Sequence, residues 1–455
     1  MRNVAVLSSS SRKVQRAKPK RSFARAGKYE VLLADGIACP HCTRLLRASD
    51  VILAGGEVSL ICGGCHRDVL VVRSAEMKIT ANAGELADAL ALAAILGEDK
   101  RLRNLRSLEA VSLVTDVTVM KIGGNVLDFA VSLAVPADIE TLGALAVSGQ
   151  RLAALAAGFP RDAKIQIADD GAAARVTCGR SRFQLPVIPQ DELPAAPAIG
   201  EETGRTELVR EEALTLFERP FFAMGTEQTR FYLCGVLLRD SDGALAAVAT
   251  DGHRLCKAII PGGGGLSQDD RLIVPRPAVK IILKLLADKS NERIVLRRSA
   301  TLLAVEAAGF SFTSKLIDTT YPDYARIVPT PGNQAVTVER AALAQALKRV
   351  AAVADPAVKA KPVAGLQWQG DELRLCLAGH PDAADDVIDA TVEGAGRTGV
   401  QIHYLAELLD SLNGKCARID TTDTFAPVLI TDPDDPDFLV VQMPCRVPFE
   451  RSQAA

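Results

Sequence analysis

The chain has 455 residues, 48% hydrophobic and 24% charged, with 4% aromatic residues, so its cores must be aliphatic. That length leaves room for several domains of ~100–200 residues. The net charge of −2 excludes a globally basic nucleic-acid binder, so any such role must rest on local basic faces. No apolar run approaches the ~20 residues needed to span a bilayer, and no secretory signal is present, which predicts a cytoplasmic protein.

Residues 1–28 carry nine Lys/Arg and no acid, with serines at Ser8–Ser11, the composition of a disordered basic arm suited to nucleic acid. A transit peptide has the same bias, but a metal module follows directly, which favours a retained tail. In residues 29–76, Cys39-Pro-His-Cys42 and Cys62-Gly-Gly-Cys65 are separated by 19 residues. Four thiolates in two tight turns at that spacing form a zinc-ribbon signature, with short strands expected around Val51–Leu53 and Val69–Val72. Such a module is too small to fold without its metal. Iron would also accept four thiolates. Cys-Pro-His-Cys also suits a disulfide oxidoreductase, but the βαβ context of that fold is absent and the second pair would have no role. His41 and His66 are spare donors. Cys178, Cys234, Cys256, Cys376, Cys416 and Cys445 are scattered and read as reduced thiols.

From Met77 a long period emerges. Short amphipathic helices are predicted to start near Gly149, Arg276 and Ile402, at intervals of 276 − 149 = 127 and 402 − 276 = 126. A second series runs through Glu85–Leu96, Val209–Arg219 and Glu339–Val353, and strand-rich segments follow every helix. The unit is helix, strands, helix, strands, three times over. The fold class is therefore α+β: three repeated domains, each with two helices packed on antiparallel sheet, plus a small N-terminal zinc ribbon. Domain boundaries are placed at 77–200, 205–332 and 333–455, with linkers at 189–204 and Pro329–Asn333.

The stretch Arg230–Leu255 reads as two strands, Phe231–Leu238 and Ala244–Val248. They are joined by Asp240-Ser-Asp-Gly243 and followed by a turn at Thr250–His253. His253 lies between Asp251 and Arg254, which first suggests catalysis. No nucleophile or second base lies near it in sequence, however, and His380 and His403 are isolated. There is no P-loop, nucleophile elbow or His-Glu-x-x-His, and Gly262–Gly265 lacks the lysine a phosphate loop needs. A non-catalytic protein is expected.

The sequences RFYLCGVLL…VATDGHRL (230–255), FTSKL (312–316), YPDYARIVP (321–329) and VVQMPCRV (440–447) closely resemble the beta subunit of bacterial DNA polymerase III, the sliding-clamp family. The resemblance runs from Met77 to about Val447. It implies a head-to-tail homodimeric ring of clamp domains around double-stranded DNA that tethers the replicative polymerase and is placed by a clamp loader. The resemblance thus implies a processivity factor for DNA replication rather than an enzyme. An accessory or regulatory clamp directed by its zinc ribbon is the alternative.

Helices lining the hole would meet phosphates without reading sequence. Arg276, Lys280 and Lys284 recur at one helical face, and Arg340, Lys348 and Arg349 belong to a helix of the third repeat. Arg101 and Tyr232 fall in segments resembling family loops that touch DNA. The family also implies an apolar pocket for short peptides of partner proteins. Matched residue by residue, it comprises Leu233, Thr250, Gly252, His253, Arg254, Leu255, Pro322, Arg326, Ile327, Val441, Met443, Pro444 and Arg446. A Met-Pro pair offers an adaptable wall, and a domain junction is where such concavities form. Two departures stand out: the chain continues past Val447 as PFERSQAA, and typical clamps lack residues 1–76.

Overall fold

The computed structural model describes residues 77–94, 109–116, 119–171, 173–189, 192–354, 361–378 and 384–447. Before residue 77 only backbone strands are described. Val4–Val6, Tyr29–Ala34 and Arg21–Ala26 form one sheet, and Val51–Ala54, Glu57–Ile61 and Asp68–Arg73 form a second, antiparallel one. Two strands of the first sheet fall inside 1–28, where charge composition alone predicts disorder. Valine, phenylalanine and alanine between the basic clusters leave short stretches open to β-pairing. Cys39, Cys42, Cys62, Cys65 and Arg101 lie outside the described residues, as does His380.

Two compact units emerge: Met1–Ala198 with Ala304–Ser314, and Ile199–Leu303 with Lys315–Ala455. In the first, helices α1 (Ala83–Ala94) and α2 (Gly149–Ala157) bury Leu86, Leu90, Ala93, Leu152 and Ala156 at helical spacing. Asn82 Oδ1 accepts from the N–H groups of Gly84 and Glu85, at 2.9 and 3.3 Å, and starts α1. The long strand Phe129–Thr141 pairs with Lys78–Asn82 along its second half and with Val119–Val126 along its first. Phe129–Leu133 also pairs with residues 310–314 on its other edge. The outermost strand is Ser181–Pro186.

In the second unit, helices α3 (Arg210–Glu218), α4 (Arg276–Leu285), α5 (Arg340–Ala352) and α6 (Ile402–Ser411) pack on antiparallel sheets. The starts of α2, α4 and α6 fall at the three residues read from the sequence. One sheet is continuous across the second and third repeats, because Arg254–Ala258 pairs with Phe438–Gln442. The four-stranded sheet of the third repeat ends at Asp385–Asp389. No helix among the described residues is long and apolar enough to cross a membrane.

The repeat is written in the backbone. The first N–H of α1, α3 and α5 donates to the carbonyl just before the strand that follows the second helix: Ala83 to Ala163, Arg210 to Glu292, Arg340 to Lys415, at 2.9, 3.0 and 2.8 Å. The first N–H of α2, α4 and α6 donates to the carbonyl before the strand that follows the first helix: Gly149 to Glu109, Arg276 to Cys234, Ile402 to Pro362, at 3.0, 2.9 and 3.2 Å. Each domain is thus two exchanged halves, and the helix-strand half-unit occurs six times. These bonds satisfy one of the donors that every helix start leaves open.

One strand assignment needs correcting. Phe231–Leu233 is not strand. Gln228–Leu233 forms 3₁₀ turns and the strand begins at Gly235. Arg230 N–H bonds Glu227 O and Cys234 N–H bonds Phe231 O, and this local closure outcompetes pairing of an aromatic run that otherwise looks like strand.

Candidate functional site

The site forms where the second repeat's strands meet the third. The hairpin Gly235–Ser241 and Ala244–Thr250 turns through Asp242 and Gly243, both at positive φ (50° and 80°), the geometry that matches strand twist. The next turn, 250–254, is closed by side chains. Asp251 Oδ1 accepts from the N–H groups of His253 (2.9 Å) and Arg254 (3.0 Å). Thr250 Oγ1 accepts from Gly252 N–H and donates to Arg254 O. Gly252 sits at φ +89°, a conformation a side chain would strain. Tyr321 Oη accepts from Thr250 N–H at 3.0 Å, and burial pushes its phenol well above the usual range.

Leu233, Leu255 and Val441 come together in one buried cluster with Leu237, Val248, Ile273, Tyr321 and Leu429. Above this floor stand exposed rims. Met443 and Ile327 are each 40% exposed, and Gly252, His253, Pro322, Arg326 and Arg446 are also accessible. Pro322, Arg326 and Ile327 are held there because Tyr324 and Val328 pack against the cluster. Met443 N–H donates to His253 O at 2.8 Å, so the C-terminal run docks on the turn. Cys445 N–H then bonds Gly399 O, carrying the chain past Pro444 along the third repeat's sheet to a buried Val447.

Arg254 is spent differently from its neighbours. Its side chain is 9% exposed. Nε lies 3.1 Å from Asp251 Oδ2 and Nη1 2.6 Å from Glu407 Oε2 on α6. The guanidinium also faces the rings of Tyr404 and Phe222, at 4.3 and 5.1 Å. It is a strut across the junction rather than an open wall. Beside it lies a cavity of about 120 Å³ bounded by Glu227, Arg230, Leu233, Asp251, His253 and Tyr404. Arg230 pairs with Glu227 at 2.8 Å, and His253 stacks on Tyr404 at 6.0 Å. His253 has no nucleophile among these neighbours. Sequence reading missed Glu227, Arg230, Tyr404 and Glu407. Only the i, i+3 charge pair Glu227–Arg230 left a local signal.

The basic residues also divide. Lys280, Lys284 and Lys348 are exposed. Arg276, grouped with the first two by spacing, turns inward. Its Nη1 donates to Phe221 O and Met224 O at 3.1 and 3.0 Å, and burial holds its guanidinium below its ordinary range. Arg340 likewise donates to Leu409 O and Leu412 O, at the end of α6. Arg349 pairs with Asp386 at 2.7 Å. Tyr232 lies edge-on to Phe231 at 5.9 Å and packs on the apolar cluster.

The glycine loop carries a chemistry of its own. The N–H groups of Gly265, Leu266 and Ser267 converge on the Asp240 carboxylate at 2.9, 3.3 and 3.0 Å. These are the donors of an anion cradle, filled by the chain's own side chain. Burial pushes the thiols of Cys234, Cys256, Cys376 and Cys445 up, which makes them poor nucleophiles.

Three domain profiles of the DNA polymerase III beta subunit match in order: the N-terminal domain at 77–197, the central domain at 207–323 and the C-terminal domain at 325–446. The beta sliding clamp of Pseudomonas putida is 30% identical over 362 residues, 78% of this chain and 96% of that protein. The Vibrio cholerae beta sliding clamp is 30% identical over 308 residues, 67% and 82% of the two chains. Among solved structures, a DNA polymerase sliding clamp from Pseudomonas aeruginosa matches with a TM-score of 0.74 at 27% identity, covering 82% of this chain and all of that one. The polymerase III beta protein of Caulobacter crescentus matches at 0.73 and 28%, with the same coverage. With its six half-units in three successive domains, the chain belongs to the DNA polymerase III beta subunit family.

Proposed function

We propose that this chain is a DNA sliding clamp, a non-catalytic ring that encircles duplex DNA and tethers the replicative polymerase and other partners. The observation that carries it is the unbroken run of three clamp domains from 77 to 446, each built of the same cross-bonded halves. Ring closure is supported by two complementary edge strands. Ser181–Pro186 exposes Phe183 directly after Arg182, and the turn before the strand bears Arg180. Asp385–Asp389 exposes Val387 between Asp385 and Asp389. Different patches on one chain make a heterologous contact, which closes into a ring when the rotation allows. Unpaired edges carry the backbone groups to extend a sheet between copies.

Lys280 and Lys284, one turn apart on α4, and Lys348 on α5 supply exposed positive charge for phosphates. Changing Lys280 and Lys284 together to Gln is expected to flatten the dependence of log K on log salt for duplex binding by about 2, with folding intact. An unchanged slope would remove these lysines from the DNA surface. The floor of Leu233, Leu255 and Val441 under Met443 and Ile327 suits an extended peptide with apolar anchors.

Residues 29–76 precede the first matched domain. Cys39, Cys42, Cys62 and Cys65 at ribbon spacing support a structural zinc site there, and the basic segment 1–28 would add phosphate contacts. Native mass spectrometry of the full chain is expected to give a dimer with one zinc per subunit. A monomer at high micromolar concentration that cannot be loaded on nicked circular DNA would sink the clamp reading, and a metal-free dimer would sink the zinc site alone. A second reading, an accessory clamp directed by residues 1–76, is favoured by their position outside the matched domains. Polymerase processivity that needs the full chain, and is lost in one starting at Met77, would support it.

A further inference from the structure

We propose that Glu407 on α6 is a positioning residue for the peptide pocket, acting through Arg254 to hold the second repeat's turn against the third repeat. The proposal rests on the pocket reading above. Arg254 has two carboxylate partners of different kinds. Asp251 is local, three residues away and 16% exposed. Glu407 is 153 residues away, 52% exposed, and the only one of the two carried by the third repeat. Asp251 is already committed, since its Oδ1 closes the turn on two N–H groups while its Oδ2 meets Arg254.

Glu407 therefore decides where the guanidinium rests. With it, Arg254 spans from Asp251 to α6 over the Tyr404 ring. Without it, a nearly buried cation has one remaining carboxylate and is drawn toward the turn. The turn cannot absorb that movement privately. His253 O receives Met443 N–H, and His253 stacks on Tyr404, so a shift at Arg254 moves the His253 rim and the Met443 rim together. The two exposed walls above the apolar floor are thus set by one ion pair that no peptide needs to touch.

The test measures fluorescence polarisation of a labelled decapeptide carrying adjacent Leu and Phe, with full-length protein and four chains in parallel: native, Glu407→Gln, Glu407→Asp and Met443→Asp. The native chain binds and Met443→Asp does not. Glu407→Gln binds about tenfold more weakly, Glu407→Asp recovers to within about threefold, and both Glu407 variants melt within about 2 °C of native. Native affinity in Glu407→Gln overturns the proposal while the pocket stands. Weakening of Gln and Asp variants alike, in step with lowered melting temperatures, also overturns it by reducing Glu407 to a general stabiliser. Failure of the native chain to bind, or full binding by Met443→Asp, removes the pocket itself and the proposal with it.

Discussion

A chain carrying Arg180→Glu and Arg182→Glu is expected to sediment as a monomer where the native chain is a dimer, with its dissociation constant raised at least about 100-fold. Both arginines are exposed beside a half-apolar edge, so the substitution alters charge without touching a core. Opposite them in a closed ring would stand Asp385 and Asp389, and reversing one side turns attraction into repulsion across a desolvated strand pair. The reciprocal chain, Asp385→Arg with Asp389→Arg, should also be monomeric. It is the less clean variant, because Asp385 is already paired with Arg374. Mixing the two reversed chains should restore dimers. If each reversed chain still dimerises alone, these edges are not where the ring closes.

The second large effect concerns stability. Gly204→Ala is expected to cost about 2–4 kcal/mol and to lower the melting temperature by about 4–16 °C. A Cβ built there falls 2.9 Å from the carbonyl carbon and 3.1 Å from the Cα of Leu266, and closer still to the carbonyl oxygen. All three are backbone atoms, so no rotamer change relieves the contact. The loop that must move is the one whose N–H groups hold Asp240. It also accepts from Arg205 N–H at Gly265 O and from Thr206 Oγ1 at Gly263 O. Gly200→Ala is the control: nothing lies within 4 Å of its Cβ position, and a change under about 0.5 kcal/mol is expected. Equal melting of the two variants would mean that the glycine loop is not packed as described.

Much of the fold was legible because it is written in side-chain periodicity. The starts at Gly149, Arg276 and Ile402 were readable from aliphatic spacing, since Val279, Ile282, Leu405, Leu408 and Leu409 must all face a core. The exchange of halves within each domain was not, because the bonds that define it run from backbone to backbone and leave no compositional trace. Phe231–Leu233 misled for a related reason: an aromatic run has strand propensity, while the competing 3₁₀ closure rests on main-chain bonds. Within the site, Leu233, Leu255 and Val441 could be matched by motif. The fate of Arg254 could not, because its decisive partner Glu407 is remote in sequence. Arg276 failed as a face-counting exercise. Spacing at i, i+4, i+8 aligns Cα–Cβ vectors, but a long side chain at a helix's first residue can turn away to carbonyls of a segment remote in sequence, here Phe221 and Met224.

The six helix starts carry a constraint on how such a chain can drift. Each opening residue surrenders its N–H to a carbonyl elsewhere in its own domain, a bond that almost any residue type can make. Arg210, Arg276 and Arg340 also donate side-chain bonds to carbonyls, whereas Ala83, Gly149 and Ile402 share no side-chain chemistry with them. The exception is proline, which has no hydrogen to give, although the first turn of a helix is where proline is otherwise favoured. In α4 the proline stands one residue later, at Pro277, directly after the donor. A lineage of these domains can therefore lose nearly all sequence likeness among its copies while six vacancies for a single amino acid persist, and a tally of forbidden prolines would trace the ancestry of the half-unit after every shared side chain has gone.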